Sequence, residues 1–273
     1  MYLNCKGNLI DLSRPKVMGI LNLTPDSFYD GGKYQENNAL LSQVEKMMAE
    51  GADFIDLGGY SSRPGADDVS EEEELRRLLP AVELILQNFP QALLSIDTFR
   101  SKVARKCLEI GAAMINDITA GEADTDMLTT IADFNCPYVM MHMKGTPQTM
   151  QRLNTYDNLL EEVLYYFSVK LAEARKLGIN DLIIDPGFGF AKDLKQNYQL
   201  LKGLNRFQTL NVPILAGLSR KSMIYKKLNT DASGALNGST ALHMVALEKG
   251  SNILRVHDVK EAVECVELFE ELQ

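Results

Sequence analysis

An α/β fold, a (β/α)8 TIM barrel in a single domain, is predicted by three features of the sequence. Eight short apolar runs recur along the chain, helical periodicity fills the intervals between them, and each run ends in glycine or in residues able to do polar chemistry. The runs are Lys16–Leu21, Phe54–Leu57, Leu93–Ile96, Met114–Ile115, Tyr138–Met141, Leu182–Ile184, Ile214–Ala216 and Ile253–Leu254. Near-continuous apolar strands alternating with helices make a parallel sheet that is covered on both faces. Eight such units let the sheet close on itself, with the active site where the strands end. After the runs come Asn22, then Gly58-Gly59 leading to Ser61-Ser62-Arg63, then Asp97, Asn116-Asp117, His142, Asp185, Ser219-Arg220-Lys221, and Arg255 with His257. Polar groups of several kinds converging on one face point to an enzyme.

Length and composition agree. The 273 residues suit one barrel domain over 1–273, since such barrels take about 250 residues. No Pro/Gly/Ser-rich linker or charge block divides them. Cys5, Cys107, Cys136 and Cys265 are scattered without a CxxC pair, as expected of buried, reduced thiols in a cytoplasmic protein. The stretch Met1 to Pro15 is polar and lacks a signal-peptide core. No apolar run approaches the roughly 18 residues of a membrane helix. A net charge of −9 argues against nonspecific nucleic-acid binding but allows a local basic pocket for an anionic ligand.

The intervening helices announce their ends. Ser70 followed by Glu73 reads as a capping box opening a helix to about Asn88, before Pro90. The acidic start Glu71 to Glu74 complements the helix dipole and reads as a solvated face. Asn38–Glu50, Ser101–Ile110, Asn158–Leu177 and Thr240–Lys249 each precede a glycine, a C-cap signal. Val259–Leu272 closes the chain as an amphipathic helix, and Tyr165, Tyr166 and Phe167 are expected to pack against the barrel.

The first two loops at the catalytic face are long for βα connections. The first, Asn22 to Gly32, offers oxygen donors and Phe28; the second, Gly58 to Gly65, offers Arg63. Both suit lids over a substrate. Asn22 can give a carbonyl oxygen to a hard cation such as Mg2+, which keeps most of its waters. Asp97, Asn116 and Asp185 end three strands and suit a flat heterocycle with several N–H donors, whereas Asp117 reads as a turn residue. Asp185-Pro186-Gly187-Phe188-Gly189-Phe190 suggests a loop that stacks on a ring, and Ser219-Arg220-Lys221-Ser222 an anion site opening a short helix. Alternation along the last strand places Arg255 and His257 on the same side, toward the mouth. Arg255 can stack on a ring or bind an anion, and His257 is a candidate phosphate donor. His142 and His243 have weaker claims, and three histidines with no HxH or HExxH make zinc improbable.

These residues carry a resemblance. Met18 to Phe28, the Ser62-Arg63-Pro64-Gly65 loop, Ser95-Ile96-Asp97-Thr98, Ile115-Asn116-Asp117, Asp185 to Phe190, Ser219 to Ser222 and Arg255-Val256-His257-Asp258 closely resemble the dihydropteroate synthase family of pterin-binding enzymes. The matches run in order through all eight strands. The resemblance implies transfer of the 7,8-dihydropterin-6-ylmethyl group from its diphosphate to 4-aminobenzoate, with Mg2+, a homodimer and inhibition by sulfonamides. By the family pattern Asp97, Asn116, Asp185 and Lys221 hydrogen-bond the pterin, and Arg255 stacks on it. Asn22, Ser62, Arg63 and His257 handle the diphosphate, Asn22 also binding its metal. Phe28, Pro64, Phe190 and Ser222 bound the aminobenzoate site. The catalytic set is then Asp97, Lys221, Arg63 and His257. The family usually has Glu where this chain has Tyr60, and commonly Thr at Ser62. The Tyr60 change is expected to alter charge beside the second loop without touching the pterin pocket.

Charge suggests how such a reaction runs. Loss of pyrophosphate leaves a methyl cation conjugated with an electron-rich ring, so the C–O bond can break before a weak aniline nucleophile arrives. Three rivals stand beside this reading. Methyltetrahydrofolate-binding barrels share a pterin pocket but need no diphosphate site. A Schiff-base enzyme would use Lys221, but that role wants a desolvated lysine, and Lys221 follows Arg220 in a loop. A pterin-binding paralogue without turnover is kept open by Tyr60.

Overall fold

Each apolar run becomes a strand, and the strands pair side by side in parallel. The computed structural model describes residues 1–23, 33–60, 69–146 and 149–273. An antiparallel hairpin comes first, β1 (Tyr2–Cys5) with β2 (Asn8–Asp11). The barrel strands are β3 (Lys16–Asn22), β4 (Phe54–Gly58), β5 (Leu94–Asp97), β6 (Met114–Asp117), β7 (Tyr138–Met141), β8 (Leu182–Asp185), β9 (Leu215–Ala216) and β10 (Ile253–Val256). Their order in the sheet is β8-β7-β6-β5-β4-β3-β10-β9. A parallel bridge from Ile184 to Ile214 brings the two ends of that ladder together, giving the predicted (β/α)8 barrel.

Most of the barrel strands run one or two residues past the apolar runs and, as expected, take in Asp97, Asn116, Asp185 and Arg255, together with Asn22, Gly58 and Asp117. They therefore obey strand alternation, in which residues two apart share a face. Met18, Phe54, Met114, Val139, Ile183, Leu215 and Ile253 form one buried apolar layer inside the barrel. Two residues further along their strands stand Asp56, Asn116, Asp185 and Arg255. The residues between, such as Ile55, Leu57, Ile96, Ile115, Ile184 and Leu254, pack outward in the core shared with the helices.

The helices follow their signals with adjustments. They are α1 (Lys33–Ala49), α2 (Glu71–Asn88), α3 (Ser101–Ile110), α4 (Met127–Phe134), α5 (Leu159–Lys176), α6 (Leu194–Lys202), α7 (Ser222–Leu228), α8 (Leu236–Glu248) and α9 (Val259–Glu270). Ser70 caps α2 by accepting from the Glu73 N–H at 3.2 Å. The box is only half made, because the Glu73 carboxylate pairs instead with Arg76 and Arg77, and Glu74 departs from the expected solvated face, buried against Arg100. A complete box occurs at α6, where Asp193 and Gln196 exchange bonds. Phe167 is fully buried, but Tyr165 of the same expected aromatic cluster faces solvent at 71 % exposure. All four cysteines are buried and free, and no described helix is long and apolar enough to cross a membrane.

The hairpin forms within the polar stretch Met1 to Pro15. Lys6 and Gly7 both have positive φ, 56° and 85°, as a two-residue type I′ turn requires. Its inward residues Leu3 and Cys5, with Leu12, pack on the apolar layer formed by Met18, Phe54 and their neighbours. The hairpin thus closes the end of the barrel opposite the strand C-termini. Truncating Leu3 to Ala should destabilise the protein by about 2–5 kcal/mol, as for a buried leucine whose cavity cannot collapse. Urea denaturation checks this; a loss below about 0.5 kcal/mol, the size of a surface substitution, would show that the hairpin lies outside the cooperative core.

Candidate active site

Strand register assembles a polar row across four neighbouring strands. Asn22 pairs with Gly58, Gly58 with Asp97, and Asp97 with Asn116. Gly58 leaves the middle of the row clear: a Cβ there would lie 3.5 Å from Asn22 Oδ1 and 3.7 Å from the Asp97 Cβ. Arg255 ties this row to the strand on its far side. Its Nε donates to Asp56 Oδ2 at 2.6 Å and its Nη2 to Asp97 Oδ2 at 2.7 Å. Asn116 Nδ2 donates to the same Asp56 oxygen at 3.1 Å. With its guanidinium edge committed to two carboxylates, Arg255 offers a ring only its faces, which is the stacking geometry.

Burial sets the charges. Asp56 is 0 % and Asp97 8 % exposed, and enclosing such groups is tolerable only with a paired cation and hydrogen bonds. Burial raises the Asp97 carboxyl to about 7, Arg255 pulling the other way and Asp56 reinforcing the rise. Against the cost of burial, Asp56 and Asp97 keep Arg255 firmly protonated. Asp185 is also raised by burial, opposed by Lys221. Burial lowers Lys221 to about 8, with Asp185 resisting.

Lys221 reaches into the barrel because its neighbour does not. Arg220, at φ 52°, turns outward to grip Asp258 with two bonds of 2.8 Å and the carbonyls of Ala232 and Ser233 at 2.9 Å. Lys221 Nζ donates to the Phe188 carbonyl and lies 5.0 Å from the Phe190 ring centre. Gly217 lies beside both groups: a Cβ there would be in ordinary contact, 3.6 Å from Lys221 Nζ and 3.9 Å from Asp185 Oδ2. The expectation of a solvated loop lysine is therefore corrected. Asp185 and Lys221 face each other, with Ser222 half-buried in the first turn of α7.

Sequence reasoning passed over three contributors. Asp56 was hidden inside the apolar run Phe54–Leu57; its position two residues from Phe54 is the signal that would have found it. Tyr60 was expected to leave the pterin-pocket residues untouched, yet its hydroxyl donates to Asp97 Oδ1 at 2.9 Å. Lys192 is buried, and its Nζ meets His142 Nδ1, the Gly187 carbonyl and the Phe190 carbonyl at 3.0, 3.1 and 3.0 Å. It pins the loop that carries Phe190. Gly187 is obligatory there, with φ 74° and a Cβ position only 2.1 Å from the His142 carbonyl oxygen. Burial, with Lys192 and Lys144 nearby, lowers His142 to about 2, so it stays neutral and accepts from Lys192.

The remaining candidates divide. Asp117 is a turn residue, accepting from Thr119, Gly121 and the Tyr138 hydroxyl. His243 is buried in α8, away from the row. His257 lies just past β10, not on it, so alternation does not govern it; it is exposed, with its backbone N–H and Nδ1 both 3.1 Å from Ser219 Oγ. Phe28, Ser62, Arg63 and Pro64 lie outside the described residues. Among the described residues no cluster of three or more His, Cys, Asp or Glu could hold a metal ion.

Comparison with known proteins gives the family. Residues 18–257 match the family described as pterin binding enzymes. The chain is 45 % identical to the dihydropteroate synthase of Escherichia coli K12 over 272 residues, 99 % of this chain and 96 % of that one. It superposes on the Yersinia pestis dihydropteroate synthase solved with a sulfonamide drug complex, with TM-score 0.93 and 42 % identity, covering 100 % and 99 % of the two chains. The Xanthomonas albilineans enzyme with 4-aminobenzoic acid gives 0.92 and 40 %, covering 100 % and 98 %. A barrel that lines its mouth with these acids, arginine and lysine, and matches such relatives over its whole length, belongs to the dihydropteroate synthases, the folate-pathway transferases that form 7,8-dihydropteroate from a pterin and 4-aminobenzoate.

Proposed function

We propose that this chain, as one barrel domain over residues 1–273, joins 7,8-dihydropterin-6-ylmethyl diphosphate to 4-aminobenzoate at the polar row, releasing pyrophosphate. The observation that carries the assignment is the facing pair of charged groups: Asp97 held by Arg255 on one side, Asp185 with Lys221 on the other. Between them Asp97, Asn116 and Asp185 accept from pterin N–H groups, Lys221 donates to the ring, and Arg255 stacks on it. Phe190, Phe28, Pro64 and Ser222 bound the aminobenzoate. Ser62, Arg63 and His257, with Asn22, hold the diphosphate.

A Mg2+ ion fits the residues present. Asn22 offers one neutral amide oxygen beside the clear space at Gly58, and no described carboxylate cluster competes. That suits an ion which keeps its waters and takes its other ligands from phosphate. When bound, Mg2+ supplies neutralising charge to the diphosphate. Arg63 and His257 stabilise the departing anion, and Asp97 the cation left on the pterin. Covering the mouth keeps water from that cation. We place the enzyme in the cytoplasm as a homodimer, following its family.

Pyrophosphate release with the dihydropterin diphosphate and Mg2+ should require 4-aminobenzoate, yield 7,8-dihydropteroate, and fall about 10²-fold or more in Lys221→Ala, in line with loss of a preorganised charge. Pterin binding without turnover would overturn the synthase reading. The pH profile follows from burial. Asp97 must be a carboxylate, so kcat/KM for the pterin should decline as pH falls through about 7. Lys221 must be a cation, so it should decline again as pH rises through about 8. Asp97→Asn should abolish the acid limb; wild-type kcat/KM in that variant would remove the carboxylate from the mechanism. Positional-isotope exchange within the diphosphate, without aminobenzoate, is expected if the C–O bond breaks first, and its absence would favour displacement by the amine.

A further inference from the structure

The hydroxyl of Tyr60 occupies one oxygen of Asp97 while Arg255 occupies the other. A carboxylate offers about four acceptor positions. Donors fixed at both oxygens lock its rotation and leave one position on each for a ligand. The Tyr60 ring is itself buried: it packs with Ile118, Met141 and Met143 and stands edge-on to Phe99, with centroids 5.1 Å apart and planes at 83°. Phe99 lies beneath the Arg100 guanidinium at 4.7 Å, and Arg100 is anchored by the buried Glu74 and by the Val69 carbonyl at 2.6 Å. Where the resemblance leads one to expect glutamate, a second acid beside Asp97, this chain supplies a neutral donor.

We infer that Tyr60 is a positioning residue for pterin binding, its hydroxyl holding the Asp97 carboxylate in the orientation that accepts from the pterin. It acts through Asp97, and so rests on the assignment of Asp97 to the pterin. Its effect therefore belongs to the pterin half of the reaction and not to the aminobenzoate half. Tyr60→Phe keeps the ring and its packing and deletes only the donor.

The test is a double-mutant cycle on Tyr60→Phe, Asp97→Asn and their combination. It reads the Kd of 7,8-dihydropterin-6-ylmethyl diphosphate without aminobenzoate, the KM for 4-aminobenzoate, and a thermal melt of each variant. Tyr60→Phe should weaken pterin binding about tenfold, within the range of coupling between contacting groups, with the aminobenzoate KM unchanged and the melt lowered only by the few degrees that one lost hydrogen bond costs. In the Asp97→Asn background the same substitution should weaken binding no further. Unchanged affinity in Tyr60→Phe, or an equal loss in both backgrounds, would overturn the positioning role while leaving Asp97 in place. Wild-type affinity in Asp97→Asn would overturn both assignments.

Discussion

Side chains on a barrel strand alternate between the lumen and the surrounding helices, and this two-residue period is the constraint on which the site depends. It fixes the height of every inward residue once the floor is set. Phe54, Met114, Ile183 and Ile253 seal the lumen, so Asp56, Asn116, Asp185 and Arg255 stand one step above them. Backbone register then aligns Asn22, Gly58, Asp97 and Asn116 across adjacent strands. Chemistry-bearing groups from strands far apart in sequence meet at one level without any loop having to carry them there. The hairpin seals the other end, so the polar layer rests on an apolar plug and not on a water channel.

Much of this is legible in the chain because the same period governs the sequence. The eight apolar runs mark the strands, and their C-terminal polar residues mark the mouth. What escaped had local reasons. Asp56 sits within a run whose apolar neighbours mask it. The N-terminal hairpin is short, and its Lys6-Gly7 turn lacks the Asn-Gly or Asp-Gly pair that signals such turns most strongly. The contact of Tyr60 with Asp97, and of Lys192 with His142, joins residues 37 and 50 positions apart. No local pattern encodes such pairs. The environment of Lys221 is likewise nonlocal, because Arg220 beside it is drawn outward by Asp258 from another element.

Charge balance completes the picture. Three inward carboxylates, Asp56, Asp97 and Asp185, share the lumen with the cations Arg255 and Lys221, and Lys192 lies close enough to bear on Asp185. Burial holds Asp97 near 7 and Asp185 above its ordinary value, while Lys221 is held below its own. Such a site is poised toward positive charge arriving between its walls. A cation developing on a pterin bound there would lower both carboxyl groups and be stabilised by them, more strongly than the neutral ring is. Interactions that strengthen only as the bond breaks are the ones that accelerate a reaction. A low-dielectric floor and fixed donors to Asp97 magnify that difference, since neither must reorganise when the charge appears. On the proposed mechanism, the same buried acids that cost stability in the resting protein are thus the groups that stabilise the cation, and that route asks no covalent nucleophile of the chain.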